Sequence, residues 1–444
     1  MHHRSRIRLV ELVAMAAILA ASIAVWGPGQ EFTNVNEGKG FDGLFYFETA
    51  EQIRAGSLGV VMPPYGFRLG HIVIAAYAPI DDLLHSFYYT NLISIGVGGL
   101  LLAVWLQLRL RYRSMRFLAI FIFGWAIFGP LRLTTLYPTN AEPFTFALVM
   151  ANFLVIDAYL RTHGRHWYAM ILLLAVLGSV TRELALIPVL ALAFADVKID
   201  WTPLRRLPRV WALAPALLVP FLRKNRLKLY LPLAIGLTGM VLVRQILPAH
   251  YPFSAFAHAA DGWTGTNDLR FLASLIAMLG PIALVALFRP AFLMDWFSRR
   301  AFYAAYVGIT LFLGYTNQPD ERYFIYLLPI LFLLIEATLD RYYKLGRDAV
   351  FWSMTFIFTA VAIRAYLPAP PFGIQFPLLP WWREAFSRFL PHSSDLFGVW
   401  IFLSPSKTAL ASLAVFLIMG WLLWLRAEAC SKPEDTVVQR DKTA

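Results

Sequence analysis

Asp42, Tyr46, Tyr65 and Arg68 fall within one polar stretch, Gly40 to Gly70, reading GFDGLFYFETAEQIRAGSLGVVMPPYGFRLG. A carboxylate, two phenols and a guanidinium this close in sequence can take a proton from a hydroxyl and hold an oxyanion. Arginine suits phosphate because its planar fork donates two parallel hydrogen bonds and keeps its charge. Residues of the same kinds recur between later apolar runs: Arg132, Tyr137, Asn140 and Glu142, then Arg182 with Glu183, then Asp320, Glu321 and Arg322. Plainer readings stand beside these. Asp-Gly is a common turn pair, so Asp42 reads equally as a solvated turn residue. Arg182 and Glu183 fit a structural pair at helix ends as well as a phosphate contact. Three charges at Asp320–Arg322 favour function, since they are costly beside apolar spans unless something uses them. Trp381, Trp382 and Phe386 read as an interfacial aromatic belt, His71 as structural, and Gly96, Gly98 and Gly99 as packing glycines.

The elements that must position these residues are membrane helices. The chain has 444 residues, 59% hydrophobic and 15% charged, with a mean hydropathy of +0.60, which is too apolar for a soluble protein. Apolar runs predict twelve spans at 8–26, 86–107, 117–131, 143–160, 168–180, 184–196, 229–247, 271–288, 301–315, 323–339, 349–367 and 408–425. Residues 71–80 are apolar but short, as for a re-entrant or interfacial piece, and Val210–Phe221, about 18 Å as a helix, is too short to span. Residues 44–55 read as an amphipathic helix on the membrane surface, with Phe45, Tyr46, Thr49 and Ile53 on one side and Glu48, Glu51, Gln52 and Arg54 largely on the other. The net charge of +12 comes from short basic clusters between spans, a positive-inside pattern that excludes nucleic-acid binding as its explanation. Under this topology 27 of the 39 Lys and Arg are cytoplasmic, and so are both termini. One transmembrane domain then covers 1–425, with an external catalytic loop at 27–70 and a polar cytoplasmic tail at 426–444. Glu11, Arg244, Glu336 and Arg364 lie near predicted span ends, where long side chains snorkel. The only cysteine, Cys430, leaves no intrachain disulfide.

The Asp42-Gly43 pair with a following aromatic residue, the Tyr65–Arg68 element and the Arg182-Glu183 pair after a later span resemble the GT-C superfamily of polytopic membrane glycosyltransferases, in a bacterial subgroup that uses polyprenyl-phosphate sugars. The resemblance implies an all-α polytopic fold in the inner (plasma) membrane. It implies inverting transfer of a hexosyl or pentosyl group from a lipid-phosphate donor to an acceptor at the external face. Asp42 would be the catalytic base or the ligand of a divalent cation, Mg or Mn, and Arg68, Arg182 and Arg322 would contact the donor phosphate. Tyr46, Tyr65, Tyr137, Asn140, Glu142, Glu183, Asp320 and Glu321 would line the site. The partners are then the lipid-linked sugar donor and membrane lipid; no protein partner is legible. The alternative is a transporter or flippase of a lipid-linked or amphiphilic substrate, with the same charges gating entry. A proton-coupled transporter places ionisable groups near the midplane, and the predicted spans hold none there.

Overall fold

The structure, a computed structural model, describes residues 8–27, 32, 36–40, 42–127, 129–195, 227–251, 268–316, 321–346, 348–365 and 406–431. Asp320, the stretch Val210–Phe221 and the loop carrying Trp381, Trp382 and Phe386 lie outside the described residues. Within them every regular element is helical, and extended pairing is confined to two isolated bridges, Val61 with Ala249 and Tyr343 with Ser431.

In chain order the α-helices are α1 (Leu9–Trp26), α2 (Gly43–Arg54), α3 (Leu69–Tyr77), α4 (Leu83–Arg109), α5 (Arg113–Trp125), α6 (Pro130–Leu136), α7 (Glu142–Thr162), α8 (Arg165–Ser179), α9 (Ile187–Leu192), α10 (Leu227–Ile246), α11 (Asp268–Leu279), α12 (Ile282–Leu287), α13 (Pro290–Ser298), α14 (Ala301–Thr316), α15 (Glu321–Phe324), α16 (Leu328–Tyr342), α17 (Ala349–Ala362) and α18 (Ser406–Glu428). Short 3-10 turns at Tyr65–Phe67, Glu183–Leu186 and Ile325–Leu327 join some of them. Proline sits in the first turn of α6, α7, α9, α13 and α16, where its missing N–H leaves no helical bond unmade.

Among the described residues six helical stretches are long and apolar enough to cross a membrane: Leu9–Trp26, Leu83–Arg109, Arg113–Leu136, Glu142–Thr162, Lys228–Ile246 and Arg322–Tyr342. Shorter apolar helices occupy Arg165–Ser179, Glu183–Leu192, Ala301–Thr316 and Ala349–Ala362. Bulky side chains such as Trp105, Phe123, Phe146, Phe153, Tyr306 and Phe332 fill one continuous core. Gly98 and Gly99 of α4 pack against Ala147 of α7 and Leu19 of α1, the close backbone approach that membrane helices use. Leu231, Leu237, Val241, Leu242 and Ile246 leave one side of α10 apolar and exposed, a face suited to lipid.

Three expectations need correction. The apolar face of α2 does not lie on a membrane surface. Tyr46, Thr49 and Ala50 are buried, in a cluster with Ile72, Ala75 and Ala76 of α3 and Phe87 of α4, because α3 is apolar on that side and gives α2 a protein surface to cover. The span expected at 117–131 is longer, Arg113–Leu136, and its helix is interrupted after Trp125 before Pro130 starts helix again. Glu11, Glu336 and Arg364 do not snorkel; all three are buried. Glu11 pairs with Arg116, and Glu336 accepts from the backbone N–H of Arg111 and, at 2.8 Å, of Tyr112. A buried carboxylate needs donors, and the chain entering α5 has backbone N–H groups with no helical partner.

Candidate functional site

Asp42 immediately precedes α2, the place where an aspartate usually accepts from the first backbone N–H groups of the helix. Its side chain makes no such bond. Asp82 supplies the contrast, accepting from Leu84 N at 2.7 Å and His85 N at 3.1 Å ahead of α4. The Asp42 carboxylate instead faces the Tyr65 hydroxyl; burial, then this carboxylate, pushes the Tyr65 phenol well above its ordinary value. Phe45 stacks on the Tyr65 ring with centroids 5.3 Å apart, which fixes that phenol against α2.

Tyr46, one turn into α2, is buried and stands in the combined field of Arg68, Arg182, Asp42 and Glu142. Burial raises its phenol, so its hydroxyl stays protonated. It accepts from Arg68 Nη1 at 2.8 Å. Arg68 follows the 3-10 turn Tyr65–Phe67, and Gly70 holds that turn against the end of α8. Gly70 N donates to Val180 O at 2.7 Å, and a Cβ on Gly70 would lie 2.2 Å from Thr181 Oγ1, so only glycine permits the approach. A similar contact seats the loop before α2: Gly40, at φ +75°, leaves no room for a Cβ beside the Tyr137 ring. Tyr137 and Asn140 therefore support the site from outside it. Asn140 Oδ1 accepts from Glu142 N at 3.2 Å.

Between α8 and the 3-10 turn Glu183–Leu186 the backbone of Arg182 is extended (φ −166°, ψ 149°), so consecutive side chains point apart. Arg182 turns to Glu142 at the start of α7 and donates to Tyr323 Oη at 3.1 Å. Burial opposes the Arg182 charge, and the Glu142 carboxylate overrides it and holds the guanidinium well above its usual value. Glu183 turns the other way, accepting from Arg68 Nη2 at 3.4 Å and Arg244 Nη2 at 3.1 Å. The two residues are thus not a structural pair with each other. Arg322 completes the group, with Nε 3.6 Å from Glu142 Oε1. The Tyr323 ring lies under both cations, 5.4 Å from Arg182 and 5.3 Å from Arg322, a favourable placement for each.

Four arginines, Arg68, Arg182, Arg244 and Arg322, therefore converge on two glutamates, Glu142 and Glu183. Arg68 Nε is a buried N–H with no partner among the described residues. A cleft beside this group is walled by Arg68, Arg182, Arg244 and Glu183 on its polar side and by Phe67, Met240 and Val243 on its apolar side. His71, buried next to Tyr46 at a centroid distance of 4.9 Å, is pushed by burial down to about 3 and stays neutral.

Of the residues expected at the site, Asp42, Tyr46, Tyr65, Arg68, Glu142, Arg182, Glu183 and Arg322 come together. Asp320 lies outside the described residues, and Glu321 begins α15. Arg244 and Tyr323 were missed. A lone arginine at a helix end carries the same sequence signal as a snorkelling one, and Tyr323 had only its position next to Arg322 to mark it. No group of three His, Cys, Asp or Glu side chains converges among the described residues, so no step below passes through a cation. No protein-family model matches the chain, and no curated protein does.

Proposed function

We propose that the protein is an inverting GT-C-like glycosyltransferase that moves a sugar from a lipid-phosphate donor to an acceptor hydroxyl. The observation that carries this reading is the convergence of cations: among the described residues Arg68, Arg182, Arg244 and Arg322 meet Glu142 and Glu183, and the first three arginines line one cleft. A phosphodiester donor carries one negative charge and its departing lipid phosphate two, so guanidinium groups gathered at the cleft favour the transition state over the bound donor. Asp42 takes the acceptor's hydroxyl proton. The acceptor oxygen bonds to the anomeric carbon as the carbon–oxygen bond to phosphate breaks, and the electron pair leaves with the lipid phosphate. Arg68, with its unpartnered Nε, Arg182, Arg244 and Arg322 receive that phosphate, Tyr46 and Tyr323 hold the guanidinium groups in place, and Glu142 and Glu183 fix their spacing.

The lipid nature of the donor is supported by the cleft's apolar side and by the exposed face of α10, which also carries Arg244. The topology proposed with this function is twelve spans in a bacterial inner membrane, both termini cytoplasmic and the Asp42 loop external.

The decisive experiment is donor binding and single-turnover transfer for wild type and Asp42→Asn, in membranes supplying a labelled polyprenyl-phosphate sugar, with and without chelator. Asparagine keeps size and shape but cannot accept the proton, so transfer slows by about 10²-fold or more while binding persists. Unchanged transfer would remove Asp42 from the chemistry. Loss of binding together with chelator sensitivity would make Asp42 a metal ligand instead.

A further inference from the structure

We infer that Arg132 anchors a second oxyanion site, apart from the Arg68 cluster, built to take a phosphate group. Arg132 lies in α6 and is 0% exposed. Its Nη1 donates to the backbone carbonyls of Trp125 at 3.2 Å and Arg364 at 3.4 Å, and its guanidinium lies 3.8 Å from the centroid of the Trp26 ring. Its Nε and Nη2 have no partner among the described residues. These two N–H groups form one edge of the guanidinium, the same edge with which Arg109 holds both carboxylate oxygens of Asp157. Arg132 therefore keeps a whole bidentate fork buried and unused.

The charge cannot be relieved by losing a proton, because arginine stays protonated in proteins. No carboxylate of the described residues bonds to it, and a second arginine, Arg364, is its neighbour. An unneutralised cation there is costly, so an anion belongs on the open edge. Two parallel N–H groups select a ligand with two adjacent oxygens, as phosphate offers. The backbone carbonyls and the Trp26 face hold the guanidinium still on its other sides. Five residue steps along α6, a rise of about 7.5 Å, separate Arg132 from Tyr137, at the end of the helix, which touches Gly40 in the Asp42 loop.

The phosphate has two sources, free inorganic phosphate or the headgroup of an anionic phospholipid. The test uses the full-length chain carrying Arg182→Gln, which disables the other cluster, and reads its thermal midpoint. One arm titrates inorganic phosphate against chloride at constant ionic strength in detergent. The other compares nanodiscs of phosphatidylglycerol with nanodiscs of phosphatidylcholine. A saturable rise of several degrees in either arm is expected, and the arm that responds names the source. Adding Arg132→Gln should abolish the rise. Adding Arg132→Lys, which keeps the charge but removes the fork and so guards against a misfolded glutamine variant, should abolish it too. No response in either arm overturns the proposal and assigns the fork to a carboxylate of the chain itself. A rise that survives both Arg132 variants overturns it as well. Neither result depends on whether the protein transfers sugar.

Discussion

The two ends of the helical bundle treat charge differently. At the end opposite Asp42 the described ion pairs are mostly single couples: Arg109 with Asp157, Arg111 with Asp340, Arg289 with Glu428 and Arg426 with Asp348, while Glu11 takes Arg116 and the exposed Arg8. At the Asp42 end four arginines meet two glutamates. Paired charges hold helices together and ask for nothing further. Cations gathered around shared carboxylates and tyrosines suit the phosphate contact proposed above. The same residue type thus has a structural role at one end and, on that proposal, a receptive one at the other.

Removing one member of a closed pair tests this contrast most severely. Arg116→Met removes the buried cation from Glu11 and leaves only the exposed Arg8 beside it, and the usual cost of breaking a buried pair is about 3–5 kcal/mol. Thermal unfolding in detergent should show a large drop, with donor binding per folded molecule unchanged; a loss of binding without a loss of stability would merge the two ends into one functional class. The converse effect is expected at Arg322. Arg322→Lys keeps a charge but not the planar fork, so transfer should fall about tenfold or more, nearly as far as in Arg322→Ala, with little change in the thermal midpoint. Full activity in the lysine variant would take Arg322 out of the site.

The smallest effect concerns His71. Its folded-state value of about 3 lies below the ordinary imidazole value of 6.5, so between those limits the unfolded chain binds the extra proton. Stability therefore falls as pH drops from about 6.5 toward 3. His71→Phe should flatten that slope, so the variant's midpoint relative to wild type should rise between pH 7 and pH 5. A slope of equal steepness in both proteins would show that other groups cause it.

Much of this arrangement is legible in the sequence because a membrane chain confines polar residues to few places. Asp42, Arg68, Glu142, Arg182 and Arg322 all interrupt or flank apolar runs, and their convergence at one end follows from helices that alternate in direction. The pairing is not legible. That Arg182 joins Glu142 rather than Glu183 depends on one extended residue between two helices. Arg132 was visible only as a loop arginine, since its burial depends on Trp26 and Arg364 closing over it from distant parts of the chain. The outward side of α2 misled for a related reason: amphipathicity shows which face is apolar, not whether lipid or α3 covers it.

The order in which the site's charges leave the ribosome has its own consequence. Asp42, Arg68, Glu142, Arg182 and Glu183 all lie before residue 196, three carboxylates against two guanidinium groups, whereas Arg244 and Arg322 follow later. The first half of the chain can therefore enter the bilayer without an uncompensated cation at the site. Receptivity is added only when α10 and α15 arrive. The bridge between Val61 and Ala249, which ties the end of α10 back to the early loop, then joins the late cations to the early ones, so a nascent chain halted before residue 227 would hold a closed, inert version of the site.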